Sequence, residues 1–540
     1  MSPVPVPPRF ELRLAAALAL AAAVVYLLAS FGRDFWSPDE PDFAEHVREM
    51  IERRDYLVPY ENGKPYGEKP ILYYWAMAAT TPFSGGDVHP GALRVPSVVS
   101  CAFLVFGAAL LAGLRGGRRE ALFAGAATAV APIVFWQGQF IQTDALFSAL
   151  LLGALLAQIL IEEDPGRAGR WVLAFHVLLP LAVLTKGPLA IALTGLVAAV
   201  RSLLLRSWKP ILGLRPFRGA LIFVALVVPW YVLAARAGGP EYAYNLIVNQ
   251  NWNRFFHAFD HIKPWWFYVE SIWGDFFPTT LIAVLSPLVF RGSDVLKRRP
   301  EVKFAAVAAL TMLLFLSTSG AKQGKYLLAA FPLAAVVAAA AVGELERRAS
   351  LGVDWARRYA VLVAGIVFGA ALALGPLAKV RAPLYAWMAP YLAVPLALGA
   401  VGTIVVYLRK SREAVPVFLA LFATLAAGEA VTGVLVFRAV DTAKTGRPLY
   451  ERIRPRLSNG EPLAYFGGTY HCYPILILRR KTEHFRNEKD LAAWVARTPN
   501  AHVLADRSEQ TEWTEPALRA LVVLDRQRVG QDEGLLLARR

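Results

Sequence analysis

The chain has 540 residues, of which 56% are hydrophobic and only 18% charged, and its formal net charge is +16. That composition excludes a soluble globular protein. The positive charge does not point to nucleic acid, because Lys and Arg collect in short loops between alternate apolar runs, as in polytopic helical membrane proteins.

In chain order, apolar runs at roughly 12–31, 93–114, 120–136, 143–161, 171–185, 187–205, 217–235, 273–290, 303–318, 325–343, 359–376, 390–408 and 414–436 predict about 13 transmembrane helices. The first follows Arg9 and Arg13 like a secretory signal, but no small-x-small cleavage site precedes the polar loop, so it reads as a retained helix. Basic clusters at Arg115/Arg118/Arg119, Arg167/Arg170, Arg201 to Arg218, Lys297/Arg298/Arg299, Arg347 to Arg358 and Arg409/Lys410/Arg412 fall in alternate loops. Placed in the cytoplasm with the N-terminus, they put the other loops and the C-terminus outside. The expected domains are therefore 1–437, a membrane domain with outer loops 32–92 and 236–272, and 438–540, a small outer α/β domain.

In the first outer loop, Phe43, Val47, Met50 and Ile51 recur at helical spacing with acids and Arg48 around the other face, which predicts a helix from Pro41 lying on the membrane surface. Aromatic residues of the second loop, Trp252, Phe255, Trp265, Trp266 and Tyr268 among them, suit an interfacial belt or a lipid-tail groove. Beyond Phe437, runs at Leu463–Phe466, Ile475–Leu478, His502–Ala505 and Leu521–Leu524 read as strands, with a helix over Asp490–Arg497. No nucleotide-binding Gly-rich loop and no internal repeat is seen. Two cysteines, Cys101 and Cys472, imply neither a disulfide framework nor a cysteine metal site.

The polar groups that could carry chemistry gather on one side only, at the outer ends: Asp39, Glu40, Glu68, Lys69, Asp144, Lys186, Arg254, Lys322, Lys325 and Tyr326. Acids beside several cations suit a site that activates a hydroxyl and holds a phosphate. Each has a plainer reading. Asp39 or Asp144 could cap a helix, Glu68 and Lys69 could be a solvated pair, and Lys186 could snorkel to water. His46, His257 and His261 show no tight metal-ligand spacing, so no metal site is assigned, though a divalent metal stays open.

The motifs SPDEP followed by VREM, DYLVPYENGKPYGEKPILYYW, QTDALF, LTKGP and VPWY together resemble the bacterial aminoarabinose (4-amino-4-deoxy-L-arabinose) transferases. These are GT-C glycosyltransferases related to protein O-mannosyltransferases, and they move a sugar from undecaprenyl phosphate to lipid A. The resemblance implies a multi-pass protein of the bacterial inner membrane, with 13 helices and an outer α/β domain. It implies that Asp39 is the loop carboxylate near the reacting groups and Asp144 a second acidic contributor, that Glu68 and Lys69 are the family's Glu-Lys pair, and that Lys69, Arg254, Tyr326 and Lys186 are its cationic and phosphate-contact positions. Together with the charge pattern, catalytic roles fall to Asp39, Asp144 and Glu68 and the carrier phosphate to Lys69, Arg254, Tyr326, Lys186 and Lys322. Some relatives place His before the Arg and hold zinc with the Glu. Here that segment is Asn249-Gln250-Asn251-Trp252-Asn253. A transferase acting on protein or an envelope polymer, and a lipid or sugar-lipid transporter, are the alternatives; the absence of an inverted repeat favours an enzyme.

Overall fold

The structure, a computed structural model, describes residues 9–256, 260–348, 351–409, 413–457, 460–467, 472–506, 513–529 and 532–539; His257, Lys410 and Arg412 lie outside them. The chain divides into two compact units. One comprises Met1–Ala29, Glu68–Tyr73 and Arg94–Leu435; the other comprises Ser30–Gly67, Tyr74–Leu93 and Val436–Arg540.

The first unit is a helical membrane domain. Among the described residues nine helices are long and apolar enough to cross a bilayer, or ten if the bent pair Phe267–Asp275 and Thr280–Phe290, which turns by 108°, is one span. The expectation of about 13 differs from this count for local reasons. Two expected runs form one element, Pro90–Ala129, broken at Gly117, whose φ of 69° favours glycine. Leu189–Leu205 is apolar but shorter. The last turns of Ala330–Arg347 carry Glu344, Glu346 and Arg347. Every expected run is nonetheless helical over most of its length.

In the second unit, the helix Asp39–Arg53 buries Ala44, Val47 and Met50. It packs on the helix Cys472–Leu478. Its polar face is buried too, against the expectation of a helix lying on the membrane. Glu45, His46, Arg48 and Glu49 are all under 7% exposed. Pairing allows this: Arg48 Nε donates to Glu45 at 2.7 Å, and Glu49 accepts from Arg53 Nε at 2.9 Å and from the Gly63 N–H at 2.8 Å. Burial raises the Glu45 carboxyl above its usual range, with Arg48 opposing. A short hairpin follows, β1 (Tyr60–Glu61) and β2 (Lys64–Pro65). Asn62 and Gly63 turn it in the left-handed region, and Asn62 Nδ2 donates to the Thr482 carbonyl at 2.5 Å.

The C-terminal part of this unit is a mixed sheet of β3 (Leu463–Phe466), β4 (Glu483–Phe485), β5 (His502–Asp506), β6 (Leu521–Val529) and β7 (Asp532–Arg539), in the order β4-β3-β5-β7-β6. β3 runs parallel to both neighbours, while β7 is antiparallel to β5 and β6. Alternation sends Leu463, Tyr465, Leu504 and Leu536 to one face, under Arg447–Ile453 and Cys472–Leu478. Ala464, Phe466, Val503 and Leu537 face the other way, toward Leu491 and Val495 of Glu488–Arg497. The run Ile475–Leu478, expected as a strand, is thus helical. Four apolar residues fit either period, and Pro474 beside them disfavours a central strand. Asp34 fastens the start of the first loop to this domain, accepting from Arg447 Nε at 2.7 Å and Thr445 Oγ1 at 2.7 Å.

Candidate active site

In the first unit, polar side chains from five separate segments meet. Glu68–Tyr73 is fastened by its apolar residues, with Pro70 and Ile71 buried. Tyr73 Oη lies 2.7 Å from Ser97 Oγ and accepts the Gln142 backbone N–H at 2.8 Å. The Glu68-Lys69 turn is thereby tied to the start of the helix Thr143–Glu163. Gln142 in turn accepts from Lys325 Nζ at 2.9 Å through its side chain.

Asp144 lies in the first turn of Thr143–Glu163 and is 4% exposed. It is not the cap, a position held by Gln142; its carboxylate pairs with Lys186 Nζ. Lys186 ends the helix Ala168–Lys186, and its ammonium also lies 4.1 Å from the centroid of the Tyr326 ring, a cation–π contact. Asp144 further feels the charges of Lys325 and Lys69.

Arg254 comes from a different segment. The helix Pro216–Tyr244 runs into the π-helical Asn245–Asn253, and Arg254 follows directly; such widened turns recur at functional sites. Its guanidinium donates to Gln250 Oε1 at 2.9 Å and lies 3.6 Å from Asp260. Burial brings the Lys69 ammonium down to about 8; Arg254 and Lys186 act in the same direction, while Glu68 and Asp144 oppose. The Tyr326 phenol is raised by burial and by Asp144, with Arg254 and Lys325 opposing. A desolvated group of cations of this kind attracts an anion strongly.

Lys69, Asp144, Lys186, Arg254 and Tyr326 are therefore one cluster, with Glu68 next to Lys69. Lys322 is not part of it. Its Nζ donates to the backbone carbonyls of Lys263, at 3.1 Å, and Ser319, and its own N–H donates to the His261 carbonyl at 3.0 Å. That role is to tie two loops together. Asp39 belongs to the second unit, where it is half-buried and opens the helix after Pro38, with no side-chain cap bond at that end. Sequence reasoning missed Gln142, an uncharged amide whose only signal is its place beside Thr143 and Asp144.

The expectation that polar groups gather on one side only needs correction. Glu120 accepts from Arg299 Nη2 at 3.0 Å and Arg347 Nη1 at 3.2 Å. Glu301 pairs with Arg299 and lies 3.6 Å from Arg115, which bonds Glu163 at 2.6 Å. Glu344 binds Arg347 and Arg348 at 2.9 and 2.8 Å. These carboxylates are mostly buried, and their partners were legible in sequence only as loop charges.

The described residues do not assemble a zinc site. Among the described residues no three His, Cys, Asp or Glu side chains are grouped closely enough for a metal. The amides before Arg254 are committed, with Asn249 donating to Asn245 Oδ1 at 2.9 Å and Asn251 to the Leu246 carbonyl at 2.8 Å. His46 lies 3.0 Å from Glu61 and stacks on Tyr66, and His261 lies 3.0 Å from Asp260.

Comparison with known proteins gives this geometry its context. Residues 68–232 match the family model described as dolichyl-phosphate-mannose-protein mannosyltransferase. An undecaprenyl phosphate-alpha-4-amino-4-deoxy-L-arabinose arabinosyl transferase of Serratia proteamaculans is 31% identical over 60% of this chain and 58% of its own. A second, from Pseudomonas paraeruginosa, is 30% identical over 68% of this chain and 66% of its own. The chain thus spans less than two thirds of the length of these curated relatives. The crystal structure of ArnT from Cupriavidus metallidurans bound to undecaprenyl phosphate superposes with a TM-score of 0.78 at 21% identity, covering 97% of both chains.

Proposed function

We propose that this multi-pass membrane protein, a homologue of the aminoarabinose transferases with their GT-C fold, transfers a sugar from undecaprenyl phosphate to a cell-envelope acceptor such as lipid A. The site faces the periplasm in a bacterial inner membrane. The observation that carries this reading is the meeting of Lys69, Lys186, Lys325 and Arg254 around the single buried carboxylate Asp144. A phosphate matches that charge, and a polyprenyl chain brings a phosphate to membrane depth.

The acceptor oxygen attacks the anomeric carbon, its bond to that carbon forms, and the bond to the carrier phosphate oxygen breaks with inversion. The leaving phosphate keeps the electron pair, and Lys69 and Arg254 stabilise it without any acid. Lys186, held by Asp144, adds a third cation, and Tyr326 offers its hydroxyl. Asp39 orients an acceptor phosphate, which is already anionic, or takes the proton of an acceptor hydroxyl. Glu68 holds Lys69 charged. Activation resides in the lipid-linked donor, so no nucleotide enters.

The test is incubation of purified protein with undecaprenyl-phosphate sugars and candidate acceptors, lipid A first, followed by mass spectrometry of the lipids. Aminoarabinose on lipid A is the expected product. Binding of undecaprenyl phosphate with no transfer to any acceptor would reject the reading.

A further inference from the structure

Within the first unit several loop cations are paired with carboxylates. Arg201 pairs with Glu162 at 2.7 Å, Arg115 with Glu163 at 2.6 Å, and Arg299 with Glu120 at 3.0 Å. The connection between Leu189–Leu205 and Pro216–Tyr244 instead gathers four cations within 13 residues. Arg206, Lys209, Arg215 and Arg218 are exposed, and among the described residues none has a carboxylate partner. Between them Trp208 and Phe217 are 71% and 91% exposed.

This connection is nevertheless held in place. Pro210 and Leu214 are buried, and His176 Nε2 lies 2.6 Å from the Leu214 carbonyl. Gly219 rests on the same imidazole, where a Cβ would overlap the ring. Arg215 sits at φ 51°, ψ 55°, a backbone conformation that side chains beyond glycine rarely adopt. Arg215, Phe217 and Arg218 line an open cavity of about 440 Å³.

We propose that this cavity binds the phosphodiester headgroup of an anionic glycerophospholipid. The two guanidiniums take the phosphate, and Phe217 and Trp208 lie against the glycerol and the upper acyl chains. The uncompensated charge calls for an anion. The exposed rings beside it, between the apolar helix Leu189–Leu205 and the membrane-length helix that begins at Pro216, call for one that carries its own apolar body. A soluble phosphate would leave those rings in water. This inference does not depend on the transferase reading.

Full-length protein is reconstituted into nanodiscs of phosphatidylethanolamine doped with phosphatidylglycerol, and lipid retention is read by native mass spectrometry. Wild type should retain phosphatidylglycerol preferentially, and retention should fall with added salt. Arg215→Gln and Arg218→Gln should each weaken it about fivefold. Arg381→Gln, another exposed cation, should not change it. Unfolding temperature and binding of undecaprenyl phosphate check that the variants are intact. Retention unchanged in the double variant, or insensitive to salt in wild type, would overturn the proposal. So would displacement of the lipid by free glycerol phosphate at matching concentration, which would make this a soluble-phosphate site.

Discussion

Replacing Lys186 by Met separates what the Lys186–Asp144 pair does for the fold from what it does for the ligand. The two side chains are 16% and 6% exposed, so removing the ammonium leaves a carboxylate in a nearly dry site. Breaking a buried pair in this way costs about 3–5 kcal/mol. Lys325 and Lys69 also act on Asp144, which brings the expected loss to the lower end, about 3 kcal/mol. Asp144→Asn alone strands the ammonium instead, but the Tyr326 ring at 4.1 Å offsets about 1 kcal/mol of that. In the Lys186→Met/Asp144→Asn double variant neither member of the pair is left charged without the other, and most of the stability lost in the single variants should return. The assay is unfolding in detergent followed by tryptophan fluorescence, with undecaprenyl phosphate affinity measured on the same samples. A cation that also holds phosphate predicts recovered stability without recovered affinity. Destabilisation of the double variant equal to the sum of the singles would refute the pairing argument.

Three further outcomes follow from the same geometry. Because Lys69 titrates at about 8 instead of 10.5, kcat/KM should fall as pH rises through about 8, and Lys69→Arg should remove that limb; a profile flat to about pH 10 would count against it. The sign for stability is opposite: the unfolded chain keeps this proton to higher pH, so the contribution of Lys69 to stability rises between pH 8 and 10.5. Glu120→Gln, which deprives Arg299 and Arg347 of contacts at 3.0 and 3.2 Å, should cost about 3 kcal/mol of stability with turnover of the folded fraction retained. Asp39→Asn should lower product formation by about 100-fold or more while undecaprenyl phosphate still binds; unchanged turnover would remove Asp39 from the reaction.

The membrane helices were legible because length and apolarity are local properties, and nothing in their recognition requires tertiary contacts. The places where the reading slipped are those where contacts decide. Ile475–Leu478 carries no period of its own, and burial between sheet and helix selects the helix. The charged face of Asp39–Arg53 looks like a solvated surface in sequence, yet Arg48 and Glu45 neutralise each other and are buried. Lys322 has the same sequence appearance as Lys325. Only the coordinates separate an ammonium bonded to backbone carbonyls from one bonded to a side chain of the cluster.

Charge balance at the two ends of the same helices separates scaffold from site. Thr143–Glu163 carries Asp144 in its first turn and Glu163 at its end, about 30 Å apart at 1.5 Å per residue. At the Glu163 end, the network of Glu120, Glu163, Glu301 and Glu344 with Arg115, Arg299, Arg347 and Arg348 balances within itself. Such a network needs nothing added to it. At the Asp144 end, Lys69, Lys186, Lys325 and Arg254 face Asp144 and Glu68, and counting the half-exposed Asp260 beside Arg254 still leaves positive charge over. Burial makes that imbalance costly in the free protein, which the lowered Lys69 already registers. An arriving phosphate relieves it, so binding should be accompanied by proton uptake when the buffer is held near pH 8. The measurement is calorimetry of undecaprenyl phosphate binding in buffers of different ionisation enthalpy. Equal heats in all of them would mean that Lys69 is already fully charged, and the imbalance would then not be what draws the phosphate in.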